Sequence, residues 1–193
     1  MKRLWYFYLY LILVWGSFRY FIRLPEVIEE LWFKPVLWLV PIFWWNLSLR
    51  KEKIVFFGKK WGRSLFLGIL FAGIYFVLLR YKDWSSVQFD SNLLGVALAT
   101  AVTEEMTFSG FVAGYLAKRQ SNLWLNLVIV GSMAAVIRLP ILFFVYQAGL
   151  WEVVGVMLVA MTSGAINAWI RLRSGTVTGS ILARLGMNLA TLG

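Results

Sequence analysis

The chain has 193 residues, 61% of them hydrophobic and 15% charged, with a formal charge of +10 and a mean hydropathy of +0.74. A composition this apolar excludes an ordinary soluble domain and implies a polytopic membrane protein, and the basic residues, gathered in short segments between apolar runs, read as a topology signal and not as a nucleic-acid surface. Cysteine and histidine are both absent, which removes disulfides, a thiol nucleophile and the usual ligands of zinc, copper and iron, so neither a cofactor nor a metal is expected.

A spanning helix needs about 20 mostly apolar residues. Seven segments qualify in chain order, at 4–22, 31–49, 64–79, 93–116, 123–146, 151–170 and 177–192, so the predicted fold class is all-α, a polytopic transmembrane bundle of about seven spans. Met1-Lys2-Arg3 before the first apolar run resembles the start of a signal peptide. No convincing small-residue cleavage site precedes Arg19, and the run is read as a retained span. Between the second and third spans, residues 50–63 form the most basic stretch of the chain, which the positive-inside rule assigns to the cytoplasm. Lys2/Arg3, Lys118/Arg119 and Arg171/Arg173 then fall inside, and residues 25–30 and 81–86 outside. The expected protein is multi-pass in the cell membrane with a cytoplasmic amino terminus.

Pro35, Pro41 and Pro140 should bend their helices. Trp5, Trp32, Trp61, Trp84, Trp124 and Trp151 read first as interface anchors and second as bulky packing. The division expected is 1–90, three N-terminal spans with the basic loop, and 91–193, a core domain.

Four ionisable groups lie deep in these spans: Glu104 and Glu105 on the fourth, Arg138 on the fifth and Arg184 on the seventh. A charged side chain at the bilayer centre costs roughly 2.5 to 3.5 kcal/mol on insertion scales. Two adjacent carboxylates must therefore be compensated or protonated, and the two arginines are the candidates. Residues four apart share a helix face, pairing Glu105 with Ser109 and Arg184 with Asn188. Gly110 and Gly114 have the small-xxx-small spacing that lets another helix come close, and packing is their first reading.

These residues resemble the CAAX-type intramembrane proteases, also called the CPBP or Abi family, which includes the Ras-converting prenyl endopeptidases and bacterial bacteriocin-immunity relatives. The family's EExxxR followed by Gly is similar to Glu104-Glu-Met-Thr-Phe-Ser-Gly110. Its FxxxH followed by Leu-Pro is similar to Ala134-Ala-Val-Ile-Arg-Leu-Pro140. Its closing HxxxN is similar to the end of Arg173-Ser-Gly-Thr-Val-Thr-Gly-Ser-Ile-Leu-Ala-Arg-Leu-Gly-Met-Asn188. The resemblance covers about residues 93–193. It implies an intramembrane endopeptidase in which Glu104 activates water and Asn188 helps stabilise the oxyanion.

The departures fall on the same motifs: Ser109 stands for the family's arginine, Ala134 for its phenylalanine, and Arg138 and Arg184 for its two histidines. Histidine exchanges protons near neutral pH, whereas arginine stays protonated and offers no acceptor. Arg138 cannot shuttle a proton and weakens a neighbouring Glu104 as a base, while Arg184 beside Asn188 still suits a developing oxyanion. Two glutamates against two arginines also make a formally neutral cluster, as a structural ion-pair network in lipid requires.

Three readings follow. The first is a catalytically degenerate family member acting as a scaffold, immunity or regulatory protein. The second is an active intramembrane or prenyl-protein endopeptidase with Glu104 as base and Arg184 and Asn188 as oxyanion stabilisers. The third, a small transporter or channel, rests only on buried charge. Expected partners are the lipid bilayer and a membrane protein or lipidated or transmembrane peptide, not nucleic acid.

Overall fold

The computed structural model describes residues 2–22, 24–49, 53–80 and 91–192, and all regular structure among them is helical. Eight helices follow one another. They are α1 (Lys2–Phe21), α2 (26–48), α3 (Trp61–Arg80), α4 (91–117), α5 (Leu123–Val136), α6 (Leu139–Phe144), α7 (Leu150–Ser174) and α8 (Thr178–Leu192). Each of the seven apolar segments is helical. Three stretches among the described residues are long and apolar enough to cross a membrane: Trp61–Arg80, Leu123–Phe144 and Leu150–Ser174. The count of about seven spans is thus not reached on length and composition.

Local chemistry explains where helices deviate. In α2, Glu29–Phe33 is a π-helical turn directly before Pro35, whose missing N–H cannot serve the carbonyl of Leu31. Pro41 lies within the continuing helix. The Leu37 carbonyl it leaves without a backbone donor accepts instead from the Tyr10 hydroxyl at 3.4 Å. Between α5 and α6 the helix breaks at residues 137–138, because the ring of Pro140 opposes the carbonyl of Val136. A second π-helical segment, Met106–Val112, follows Glu105 in α4. α7 ends at Gly175, whose φ of +75° gives the left-handed cap that glycine adopts without strain.

Small residues set the closest approach, between α3 and α8. A Cβ on Gly68 would lie 2.6 Å from the Gly179 carbonyl oxygen, and one on Gly186 2.6 Å from Ala72. The Gly179 N–H donates to Ser64 Oγ at 2.8 Å. Without a strong hydrophobic drive between helices in lipid, such backbone proximity is what makes the contact tight. Gly110 and Gly114 also serve packing, although no helix covers them: a Cβ at Gly110 would meet Phe56 at 2.7 Å and one at Gly114 would meet Ile54 at 2.8 Å.

Part of the basic 50–63 stretch is therefore built into the core, with Ile54 and Phe56 buried. Asn46 pairs with both backbone groups of Ile54, at 2.8 and 3.1 Å. Arg171 donates to the Val55 carbonyl, and the Val177 N–H to that of Phe56 at 2.9 Å.

Five of the six tryptophans read as interface anchors, Trp5, Trp32, Trp61, Trp124 and Trp151, are exposed on the protein surface. Trp84, with the 81–86 segment, lies outside the described residues. The buried aromatics gather instead where α1, α2 and α4 meet: Phe7, Trp15, Phe18, Trp38, Phe108 and Phe111. This cluster stands beside the charged site.

Candidate functional site

Glu104 and Glu105 end the first α-helical part of α4, just before its π-helical segment. Being adjacent, they leave the helix about 100° apart, as a rise of 3.6 residues per turn requires, and they meet different surroundings. Glu105 is sealed, with 1% of its surface exposed. Its Oε1 accepts from Arg184 Nε at 2.9 Å and from Asn167 Nδ2 at 2.7 Å, and its Oε2 accepts from the Ser109 hydroxyl. The expected Glu105–Ser109 pair is present, and Arg184, one of the two arginines expected to compensate the carboxylates, is the cation that reaches Glu105. Asn167 is held in turn by Tyr75, whose hydroxyl donates to Oδ1 at 3.3 Å.

Glu104 faces the other way. Its Oε1 accepts from Lys34 Nζ at 3.0 Å, and its Oε2 lies 2.8 Å from Arg138 Nη2 and 3.5 Å from Arg184 Nε. Arg184, 1% exposed, stands between the two carboxylates. Its Nη1 reaches Ser163 Oγ at 3.4 Å.

Among the described residues, eight charged side chains join in this network, not four. Within the 25–30 segment, Glu29 and Glu30 stand in the π-helical turn of α2 and are buried in the protein. Glu30 Oε2 accepts from Lys34 Nζ at 2.7 Å and from the Thr100 hydroxyl at 2.7 Å. Arg19 pairs with Glu29 and, at 3.2 Å, with Glu30, and its guanidinium lies 4.7 Å from the centre of the Trp15 ring. Charges near the ends of apolar runs look like loop residues in a sequence, and that hid Arg19, Glu29, Glu30 and Lys34. The four-residue spacing that exposes Glu105–Ser109 also joins Glu30 to Lys34 and could have marked that pair, but it carries no signal for Arg19 or Glu29.

The network holds four glutamates, three arginines among Arg19, Arg138 and Arg184, and Lys34, so it is formally neutral. Among its described residues, no cluster of three His, Cys, Asp or Glu side chains is placed to hold a metal ion.

A cavity of about 620 Å³ opens beside Glu104. Its polar wall includes Lys34, Glu104, Arg138 and Asn188, and its apolar wall includes Leu79, Ile141, Leu142, Val156 and Val159. Glu105 and Arg184 do not line it. Arg184 meets both carboxylates, and Asn188, four residues on along α8, lines the cavity, where its Nδ2 donates to the Ala97 carbonyl at 3.0 Å. Arg138 is the most exposed of these cations, with 27% of its side chain accessible.

A bundle of apolar helices with one carboxylate of an adjacent pair at the wall of a cavity defines a class of membrane protein with a buried polar site. A family model described as Rce1-like, type II CAAX prenyl endopeptidase Rce1-like, matches residues 86–190, more than half of the chain. The chain belongs to this family. No curated protein and no solved structure matched it. The match takes in Glu104, Glu105, Arg138, Arg184 and Asn188, whereas Arg19, Glu29, Glu30 and Lys34 come from the helices before it.

Proposed function

We propose that this protein is a non-hydrolytic member of its family that works by binding, as a membrane scaffold, immunity or regulatory protein. One observation carries the reading: both oxygens of Glu104, the position of the family's base, are held by cations, Lys34 on Oε1 and Arg138 and Arg184 on Oε2. A carboxylate offers about four lone-pair sites, and three partners leave little with which to take a proton from water. Arginine keeps its proton, so neither Arg138 nor Arg184 replaces a histidine in relaying it. In this reading the cluster is an ion-pair lock across α2, α4, the break between α5 and α6, and α8, and the chain crosses the cell membrane about seven times with its amino terminus in the cytoplasm.

The test is incubation of the purified, bilayer-reconstituted protein with a prenylated CAAX peptide. No cleavage is expected. Cleavage that Glu104→Gln abolishes would overturn the proposal.

The cavity favours a second reading, an active endopeptidase, because it gives a peptide access to Glu104 and Asn188. Glu104 would then be the base, with Asn188 and Arg184 stabilising the oxyanion. Activity that appears only in the Arg138→His, Arg184→His double variant counts against it and for the lock.

A further inference from the structure

The cavity beside Glu104 has a chemical bias of its own. Most of its polar wall is already engaged within the protein: Lys34 with Glu30 and Glu104, Thr100 with Glu30, Arg19 with Glu29 and Glu30, and Thr191 with carbonyls of its own helix. Glu152 accepts from the Gly149 N–H at 3.0 Å. Arg138 is different. Its Nη2 donates to Glu104, while its Nε and Nη1 have no acceptor among the described residues. The wall also includes Trp38, whose buried indole N–H has no hydrogen-bond partner among the described residues. Arg138 is thus the cation of this wall with donors to spare among the described residues, at the edge of a mostly apolar space.

We infer that this cavity is a binding site for a single-chain acidic amphiphile, its carboxylate or phosphate headgroup on Arg138 and its chain along Leu79, Ile141, Leu142, Val156 and Val159. The volume falls within the range of about 300 to 1,000 Å³ usual for small-ligand pockets. An acidic headgroup is all acceptor and matches the arginine fork, which binds carboxylates and phosphates through two parallel N–H bonds. A peptide suits the space less well. Every residue of it brings a donor and an acceptor, and buried backbone groups left unpaired are costly. A lipid acid brings one polar end and an apolar tail. The inference rests on the reading that the site binds without cleaving.

The experiment is photocrosslinking of the full chain in phosphatidylcholine nanodiscs with a diazirine-bearing fatty acid, mapped by mass spectrometry. Oleate, a lysophosphatidic acid, oleyl alcohol and a prenylated CAAX peptide serve as competitors. We expect labelling on α3, α6 or α7 that one or both acids suppress and the alcohol does not. Suppression by oleate identifies a carboxylate ligand, and by the lysophospholipid a phosphate one.

Arg138→Gln should weaken labelling about tenfold, the scale of one charge-assisted hydrogen bond. Because Arg138 also belongs to the ion network, a second variant avoids the charges. A Cβ at Gly155, on the cavity wall, meets open space, so Gly155→Leu takes up part of the cavity and should weaken labelling in a folded protein. Equal competition by alcohol and acid, labelling unchanged in Gly155→Leu, or stronger competition by the peptide than by either acid overturns the inference. Cleavage of the peptide is scored separately in the same samples. Cleavage without acid-selective labelling sinks both readings, whereas no cleavage and no labelling sinks only this one.

Discussion

Glu104 and Glu105 are neighbours in sequence, yet the two sides of α4 treat them as different kinds of residue. The Glu105 side is closed: Ser109, Asn167 and Arg184 fill its acceptor sites, and Tyr75 holds Asn167 from behind. The Glu104 side is open, borders a cavity, and takes its partners from α2 and the break between α5 and α6 as well as from α8. Helical geometry makes the separation possible, since consecutive side chains point to different faces. Within one motif, one carboxylate is a structural fastener and the other lies at a binding surface.

Substitutions should separate the two sides by size of effect. The largest loss is expected for Arg184→Leu, which leaves Glu105 buried with no cation and should cost about 3 to 5 kcal/mol in detergent unfolding measurements. Adding Glu105→Leu should recover much of it, since an apolar pair of similar volume replaces a buried ion pair with little penalty. If the double variant is no more stable than the single one, the closed side is not a self-contained pair.

Lys34→Met comes next. Glu104 keeps two arginines and Glu30 keeps Arg19 and Thr100, so a loss of about 1.5 to 3 kcal/mol, typical of a charged hydrogen bond, is expected in the same unfolding assay. A loss as large as that of Arg184→Leu would mean that the two sides are one unit. Gly186→Leu should cost about 1 to 3 kcal/mol by forcing α8 away from Ala72 on α3. Its effect should add to that of Lys34→Met if the α3–α8 contact is independent of the open side, as a double-mutant comparison would read.

The smallest stability effect is expected for Arg138→Gln, about 1 kcal/mol or less, because the side chain is partly accessible and its partner retains two other cations. A Tm shift matching that of Arg184→Leu would remove the distinction between an open and a closed side.

Much of this arrangement was legible in the residues. Apolar runs marked every one of the seven long segments as helical, and the four-residue rule brought Ser109 to Glu105. The demand that buried carboxylates find cations pointed to Arg138 and Arg184. Lys34 escaped because a lysine four residues after an acidic pair, at the edge of an apolar run, has the pattern of a solvated helix start. The π-helical turn of Glu29–Phe33 changes which face those side chains occupy, and no spacing rule for an α-helix anticipates it. Gly110 and Gly114 announced close packing without saying that Ile54 and Phe56, not a helix, would arrive there.

By itself, then, the sequence determined the helical class, the membrane setting, the family motifs and the need for charge compensation, because these follow from hydropathy, local periodicity and the cost of an unpaired charge. Only the tertiary structure decided which cation meets which oxygen, that Arg184 bridges the two glutamates, that Arg19, Glu29, Glu30 and Lys34 extend the network, and that a cavity opens beside Glu104 and not Glu105. Those outcomes depend on how helices distant in sequence cross and rotate against one another. That is set by the sum of many small contacts, such as the glycine approaches of α3 and α8, and not by any local pattern.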